Sequence, residues 1–293
     1  MPPRYPDFYC IGAQKAATTW LYRCLQGHPR VFTSAFKEVH YFDSLHVSFH
    51  RRIHTNRIRA AMEYFAHPPH AKWGPLRHLL QSPKQRRMEQ RMHWWLAQRG
   101  ATIDDAWFGG VFADARADQC IADVTPAYAA LPKAGIAHMR RLNPRARLLL
   151  ILRDPVQRTF SHAKMVAVKR GLPLTDDNLL QMSVAKAVAS RDAYPRQIDR
   201  FSKAFGEEQF MVAFHEAEIV LDPQDFLRRL CLHLRLAYQP QYFRRATKIV
   251  NRGAQVRMSP RVHAVLLERH RDLIAEMQRR YPHQTKSWGQ VGV

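Results

Sequence analysis

Residues 8–21 read Phe8-Tyr9-Cys10-Ile11-Gly12-Ala13-Gln14-Lys15-Ala16-Ala17-Thr18-Thr19-Trp20-Leu21. The apolar run Phe8–Ile11, stopped by Gly12, predicts a short buried strand. Helical spacing of apolar side chains resumes at Thr18. A strand that enters a helix through a loop of small residues leaves backbone N–H groups unpaired at the helix start. The helix dipole adds positive potential at the same place, so such a junction is suited to phosphate. Lys15 adds a point charge, and Thr18 and Thr19 add hydroxyl donors. The segment therefore predicts an anion cradle at the C-terminal end of a first strand.

The P-loop of nucleotide triphosphatases, G-x-x-x-x-G-K-[ST], is the general template for such a cradle. Counted from Gly12, its second glycine falls on Ala17 and its lysine on Thr18. Lys15 sits inside the loop instead of at its end, which argues against a P-loop kinase. A second run, Leu148-Leu149-Leu150-Ile151-Leu152, is apolar without alternation, as in a strand buried on both faces of a parallel sheet. It ends in Arg153-Asp154-Pro155, followed by Arg158 and Ser161 in a helical pattern. Asp154 suits an N-cap and Pro155 the first turn. Two anion-binding segments at strand ends predict an open α/β fold, in which ligands sit at that edge of the sheet.

Taken together, these segments resemble the sulfotransferases that use 3′-phosphoadenosine 5′-phosphosulfate (PAPS). Lys15-Ala16-Ala17-Thr18-Thr19 resembles their 5′-phosphosulfate loop, which usually reads K-x-G-T-T. Ala17 stands where glycine is commoner, so a negative φ is expected there, because Cβ penalises left-handed geometry. The resemblance implies that Lys15, Ala16, Ala17, Thr18, Thr19 and Trp20 contact the donor. Arg153-Asp154-Pro155-x-x-Arg158-x-x-Ser161 resembles the family's 3′-phosphate motif, which implies that Arg153 and Ser161 hold that phosphate. Arg158 is either a ligand contact or a structural one. The implied fold is a single P-loop-like α/β domain over residues 1–293, with a central parallel sheet flanked by helices.

Phe36-Lys37-Glu38-Val39-His40-Tyr41-Phe42-Asp43 resembles the K-E-x-H-[FY]-F-D segment of glycan sulfotransferases, especially the heparan sulfate O-sulfotransferase branch. The resemblance implies Glu38 as general base, His40 and Asp43 as supporting groups, and Lys15 as the charge that stabilises the leaving phosphate. Lys37 and Asp43 are then acceptor-side candidates. Ile121-Ala122-Asp123-Val124-Thr125-Pro126-Ala127-Tyr128 is similar to the family's E-x-[ST]-P-x-Y segment. Val124 replaces a lysine of the heparan-type enzymes, so the acceptor pocket differs from theirs. Thr125 and Tyr128 either line that pocket or pack a turn. An acceptor hydroxyl on a carbohydrate or glycosylated metabolite is expected. A polar, charged pocket beside Glu38 favours a sugar there, and an aromatic one favours a phenol or polyketide. Tyr194 and the turn Asn251-Arg252-Gly253 are weaker candidates for the adenosine side.

Elsewhere the chain predicts scaffold. Residues 46–100 are polar, basic and rich in His, Pro and aromatics, and predict a helical insertion beside the acceptor cleft, with a helix over 86–96. Further helices are expected over 131–142, 192–205, 222–234 and from Ser259-Pro260 onward, and a strand over 209–214. The 46% hydrophobic and 24% charged composition is that of a globular protein. The four cysteines show neither a C-x-x-C nor a secreted-framework spacing, which points to a reduced compartment. No signal peptide or membrane span is evident, so a bacterial cytoplasmic enzyme is expected. No metal-ligand spacing stands out. The formal net charge of +22 suits an anionic donor, or a nucleic-acid or other polyanion partner. Phosphate motifs at two strand ends favour the donor over nucleic acid.

Overall fold

The computed structural model describes residues 3–67, 82–185, 192–244, 246 and 256–290. Its strands are β1 (Phe8–Gly12), β2 (Val31–Thr33), β3 (Cys120–Val124), β4 (Arg147–Leu152) and β5 (Phe210–Phe214). Its helices are α1 (Thr18–Leu25), α2 (Tyr41–His46), α3 (Ile53–Ala66), α4 (Pro83–Ala97), α5 (Asp105–Gly110) and α6 (Lys133–Leu142). They continue with α7 (Pro155–Lys169), α8 (Asp176–Ser183), α9 (Tyr194–Phe205), α10 (Pro223–His233) and α11 (Pro260–Arg280).

The five strands form one parallel sheet in the order β2-β3-β1-β4-β5. Every residue of β1 is buried, and so is all of β4 after Arg147. Helices flank the sheet, which explains why these strands are apolar throughout instead of alternating. Gly12 ends β1 under close packing: a Cβ there would stand 2.9 Å from both the Ala129 Cβ and the Leu150 Cδ1.

The strand order makes the site. From β1 the chain crosses by α1 towards the β2 and β3 side; from β4 it crosses by α7 to β5 on the other side. The two crossovers diverge, so a crevice opens at the C-terminal ends of β1 and β4, where open α/β sheets bind ligands. The loop carrying Lys15 and the turn carrying Arg153 both lie there.

Local signals place the helices as their residue types dictate. Asp154 caps α7, accepting from the Val156 N–H at 2.8 Å, with Pro155 in the first turn. Asp222 and Ser259 cap α10 and α11 in the same way. Ser82 and Gln85 form a reciprocal capping box on α4. Residues 46–100, where described, are mainly helical, with α3 packed against α4. The buried face of α11 comprises Val262, Leu266, His270, Ile274 and Met277. Asn251-Arg252-Gly253 lies outside the described residues. No described helix is long and apolar enough to cross a membrane.

Candidate active site

The loop after β1 leads into a helix whose start is left open. Ala17 is the N-cap of α1, and no side chain caps the helix. The N–H groups of its first turn therefore lack an intrahelical partner. Lys15 (φ 72°) and Ala17 (φ 61°) are both left-handed. The expectation of a negative φ at Ala17 is thus corrected: the loop keeps its left-handed turn although the residue carries a Cβ.

Arg153 reaches this loop from the end of β4. Its Nη1 donates to the Lys15 carbonyl at 2.9 Å, and the Tyr194 hydroxyl donates to the Arg153 carbonyl at 2.9 Å. Its Nε is buried without a hydrogen-bond partner, the Glu216 carboxylate standing 3.7 Å away. Lys15 is half-buried, and among the described residues no carboxylate lies within ion-pair distance of it. Burial lowers its pKa, and the positive charges of Arg153, Lys164, Lys169 and Lys37 lower it further. Positive charge concentrated around an uncapped helix start, with one buried donor left over, fits a multiply charged phosphate ligand. Ser161 is half-buried on α7, two turns from its start.

The loop after β2 supplies the carboxylate. Glu38 (φ 67°) and His40 (φ 60°) repeat the paired left-handed geometry of the first loop. Non-glycine residues in this region are strained and cluster at functional sites. Glu38 is ion-paired with Lys37 and lies 3.4 Å from the His40 Nε2. The other ring nitrogen of His40 meets Asp43 at 2.7 Å, and the His50 Nδ1 stands 2.8 Å from the same Asp43 oxygen. Burial raises the Glu38 pKa, but His40 and Lys37 outweigh it and hold the carboxyl well below its ordinary range. For His40, burial lowers the pKa, and hydrogen bonds to Asp43 and Glu38 more than reverse that, leaving it raised.

Residues 6–240 match the profile of the protein family described as "Sulfotransferase family". The chain belongs to the sulfotransferase family. Its fold is similar to that of a sulfotransferase from Alicyclobacillus acidocaldarius, at 20% identity and a TM-score of 0.60, covering 97% of this chain and 98% of that one. The sulfotransferase domain from the curacin biosynthetic pathway aligns at 15% identity and a TM-score of 0.51, covering 86% of this chain and 81% of that one. The sulfotransferase STF9 from Mycobacterium avium aligns at 14% identity and a TM-score of 0.52, covering 96% of this chain and 78% of that one. A search of the curated proteins found no match.

In this sulfotransferase the tertiary structure separates residues that the sequence lists side by side. Lys15, Ala17, Thr19, Arg153 and Ser161 are at least partly open, whereas Ala16 and Thr18 are buried. The Trp20 indole is buried, donating to the Ala246 carbonyl at 2.9 Å beside Phe226. Arg158 is fully buried and paired with Asp192, so of its two possible contacts the structure displays the structural one. Thr125 and Tyr128 are fully buried as well. Their hydroxyls donate to the two oxygens of Asp123, at 2.7 and 2.9 Å. Burial raises the Asp123 pKa to about 6 against the pull of those hydroxyls. The Tyr128 oxygen also accepts from the Tyr41 N–H at 3.1 Å, which ties this network to the segment carrying Glu38.

Sequence reasoning missed Glu216, Lys164, His50 and Arg57. Glu216 had a faint signal, since it lies two residues past β5, the neighbour of β4 in the sheet. Its carboxylate accepts from the Asp154 N–H at 3.2 Å. His50 and Arg57 follow Asp43 closely and Lys164 follows Ser161 closely, but all three fall outside the recognisable motifs.

Ala17→Gly should relieve the left-handed strain. The gain of about 1–2 kcal/mol is partly offset by the greater freedom of glycine in the unfolded chain. A net stabilisation of roughly 0.5–1 kcal/mol is expected in urea titration. A destabilised Ala17→Gly protein would show that the loop does not hold its left-handed turn in solution.

Proposed function

We propose that the protein transfers a sulfuryl group from PAPS to an acceptor hydroxyl by in-line displacement. The observation that carries this reading is the convergence at one crevice of Lys15, the uncapped start of α1 and Arg153 with its unpartnered Nε. PAPS supplies a sulfuryl group already activated by its link to phosphate. Lys15 and the first-turn N–H groups stand where negative charge collects on that phosphate as the S–O bond breaks. Arg153 and Ser161 hold the 3′-phosphate, where a guanidinium fork can bind two oxygens.

Glu38 takes the proton of the acceptor hydroxyl. A carboxylate so acidic is a weak base, yet it is ionised throughout the neutral range. As the O–S bond forms, the attacking oxygen becomes far more acidic, so a weak base suffices if it is well placed. His40, held by Asp43, orients Glu38. Resemblance of the Lys37–Asp43 segment to glycan sulfotransferases supports a carbohydrate or glycosylated metabolite as acceptor. The enzyme is placed in the cytoplasm, acting on a small-molecule or glycan acceptor; its four free cysteines suit a reduced compartment.

Calorimetry with adenosine 3′,5′-bisphosphate and with ATP tests the donor assignment. The bisphosphate is expected to bind at least about 10-fold more tightly, the factor that one added charge-assisted phosphate contact supplies. Preference for ATP would replace the sulfotransferase reading with a nucleotide-kinase one. Lys15→Ala belongs to the same experiment, since it should slow transfer more than it weakens bisphosphate binding.

A further inference from the structure

Beside Glu38 lies a cavity of about 150 Å³ between the loop after β2 and helices α3 and α4. Its wall has two chemistries. Phe36, Met92 and Trp95 make an apolar side; Phe36 and Trp95 are buried, with ring centroids 5.0 Å apart. Lys37, Arg57 and Arg91 supply three cations. Among the described residues no Asp, Glu, Asn, Gln, Ser or Thr contributes to the lining.

Among the described residues no carboxylate lies within ion-pair distance of either arginine. The Arg57 guanidinium stands 5.0 Å from the Trp95 ring centroid, and its Nη1 donates to the Val39 carbonyl at 3.5 Å. Arg91 donates to the Met88 sulfur at 2.8 Å. Sulfur is a weak acceptor, and a guanidinium has five donors to satisfy. Burial, with Arg91 adding to it, lowers the Arg57 pKa, and Glu38 only partly offsets this.

We infer that this cavity seats a part of the acceptor that is flat and apolar and carries an oxyanion, such as a carboxylate or a phosphate monoester. The inference rests on the sulfotransferase reading of Glu38. Sugar rings are recognised through many neutral hydroxyls, which need side chains that both donate and accept; the described side chains of this wall offer donors and apolar surface. An aromatic or polyketide-like body fits against Trp95 and Phe36, and its anion reaches Arg57 and Arg91 in charge-assisted hydrogen bonds. On a glycosylated metabolite this would be the aglycone, placing a nearby hydroxyl at Glu38. The oxyanion also competes with Glu38 for the Lys37 ammonium, which leaves the bound-state carboxylate more basic.

Calorimetry on the protein saturated with adenosine 3′,5′-bisphosphate tests this, using 2-naphthoate, 2-naphthyl phosphate and neutral 2-naphthalenemethanol as probes. At least one of the anionic probes is expected to bind 10-fold or more tightly than the alcohol, on the order of one charge-assisted hydrogen bond. Comparing the carboxylate with the phosphate identifies the preferred anion. Arg57→Gln and Arg91→Gln should each reduce the preference several-fold, and Arg57→Lys should retain part of it. Equal binding of all three probes, no binding by any, or a preference that survives both glutamine variants overturns the inference. Bisphosphate affinity, read in the same samples, separates the two ideas: its loss strikes the donor assignment, whereas normal bisphosphate binding without anion preference strikes only the cavity.

Discussion

Glu38→Gln is expected to lower kcat/KM by about 10²–10⁴-fold, the usual contribution of a positioned general base. Affinity for adenosine 3′,5′-bisphosphate should be unchanged, because Glu38 belongs to the loop after β2 and the donor cradle to the loops after β1 and β4. The amide keeps the shape and one accepting oxygen, but it neither takes a proton nor attracts Lys37. Full activity of Glu38→Gln with the natural acceptor would remove the residue from this role.

The groups that orient Glu38 give the same site a pH signature. His40 has a raised pKa in the folded protein, through Asp43 and Glu38 acting against burial. Its stabilising contribution is complete below the ordinary histidine value of about 6.5 and is lost as pH rises through the higher folded value. Asp43 behaves oppositely. Burial raises its pKa, but His40 and His50 hold it well below the carboxylate range. Its contribution is present above about pH 4 and is lost only as pH falls through the depressed folded value. Urea titrations across pH should therefore show stability declining on the alkaline side of neutrality. His40→Gln should flatten that decline, and an unaltered slope would place its cause elsewhere.

Arg158→Ala is expected to destabilise the protein by about 3–5 kcal/mol, the typical result of removing one member of a buried ion pair. Arg158 is wholly buried and paired with Asp192, whose pKa burial already raises against the pull of Arg158. Without the guanidinium, Asp192 must be buried unpaired or take up a proton. Replacing both residues by leucine should recover much of the loss, because a well-packed apolar pair avoids both desolvation penalties.

Arg153→Ala, five residues earlier in the same motif, should do the reverse. The Arg153 side chain is 23% exposed, and among the described residues its one hydrogen bond goes to the Lys15 carbonyl. Stability should change by no more than about 1 kcal/mol, whereas bisphosphate affinity should fall roughly 10- to 100-fold, the loss of a charge-assisted contact. If Arg158→Ala proved as stable as the parent, or if Arg153→Ala bound the bisphosphate normally, the division of labour between the two arginines would fail.

Phe8–Leu21 and Leu148–Ser161 carried most of what was legible without coordinates. An unbroken apolar run suits a strand covered on both faces, and a loop of small residues before a helix suits an anion cradle or a plain turn. Those are local constraints, and the order of the two segments was enough for a parallel sheet with a site at its edge. Caps are equally local, which is why Asp154, Asp222 and Ser259 begin helices where their side chains predict.

Burial and pairing are not local. Nothing in Arg153-x-x-x-x-Arg158 distinguishes the arginine open to the crevice from the one under it; the helical turn between them and the position of Asp192 do. Thr125 and Tyr128 read equally well as pocket or packing until Asp123 takes both hydroxyls. The sign of φ at Ala17 depends on the strand and helix that the loop must join, and those overrode the preference of alanine. The cavity beside Glu38 exists only because α3 and α4 bring Arg57, Arg91 and Trp95 to a loop some twenty to sixty residues earlier in the chain. By itself the sequence determined the parallel α/β fold with its first and fourth strands, and it singled out a candidate cradle and a candidate base, since each is written in a short contiguous segment. Which side chains are open or buried, and which apolar and cationic groups line the neighbouring cavity, only the tertiary structure decided, because they meet there across distant segments.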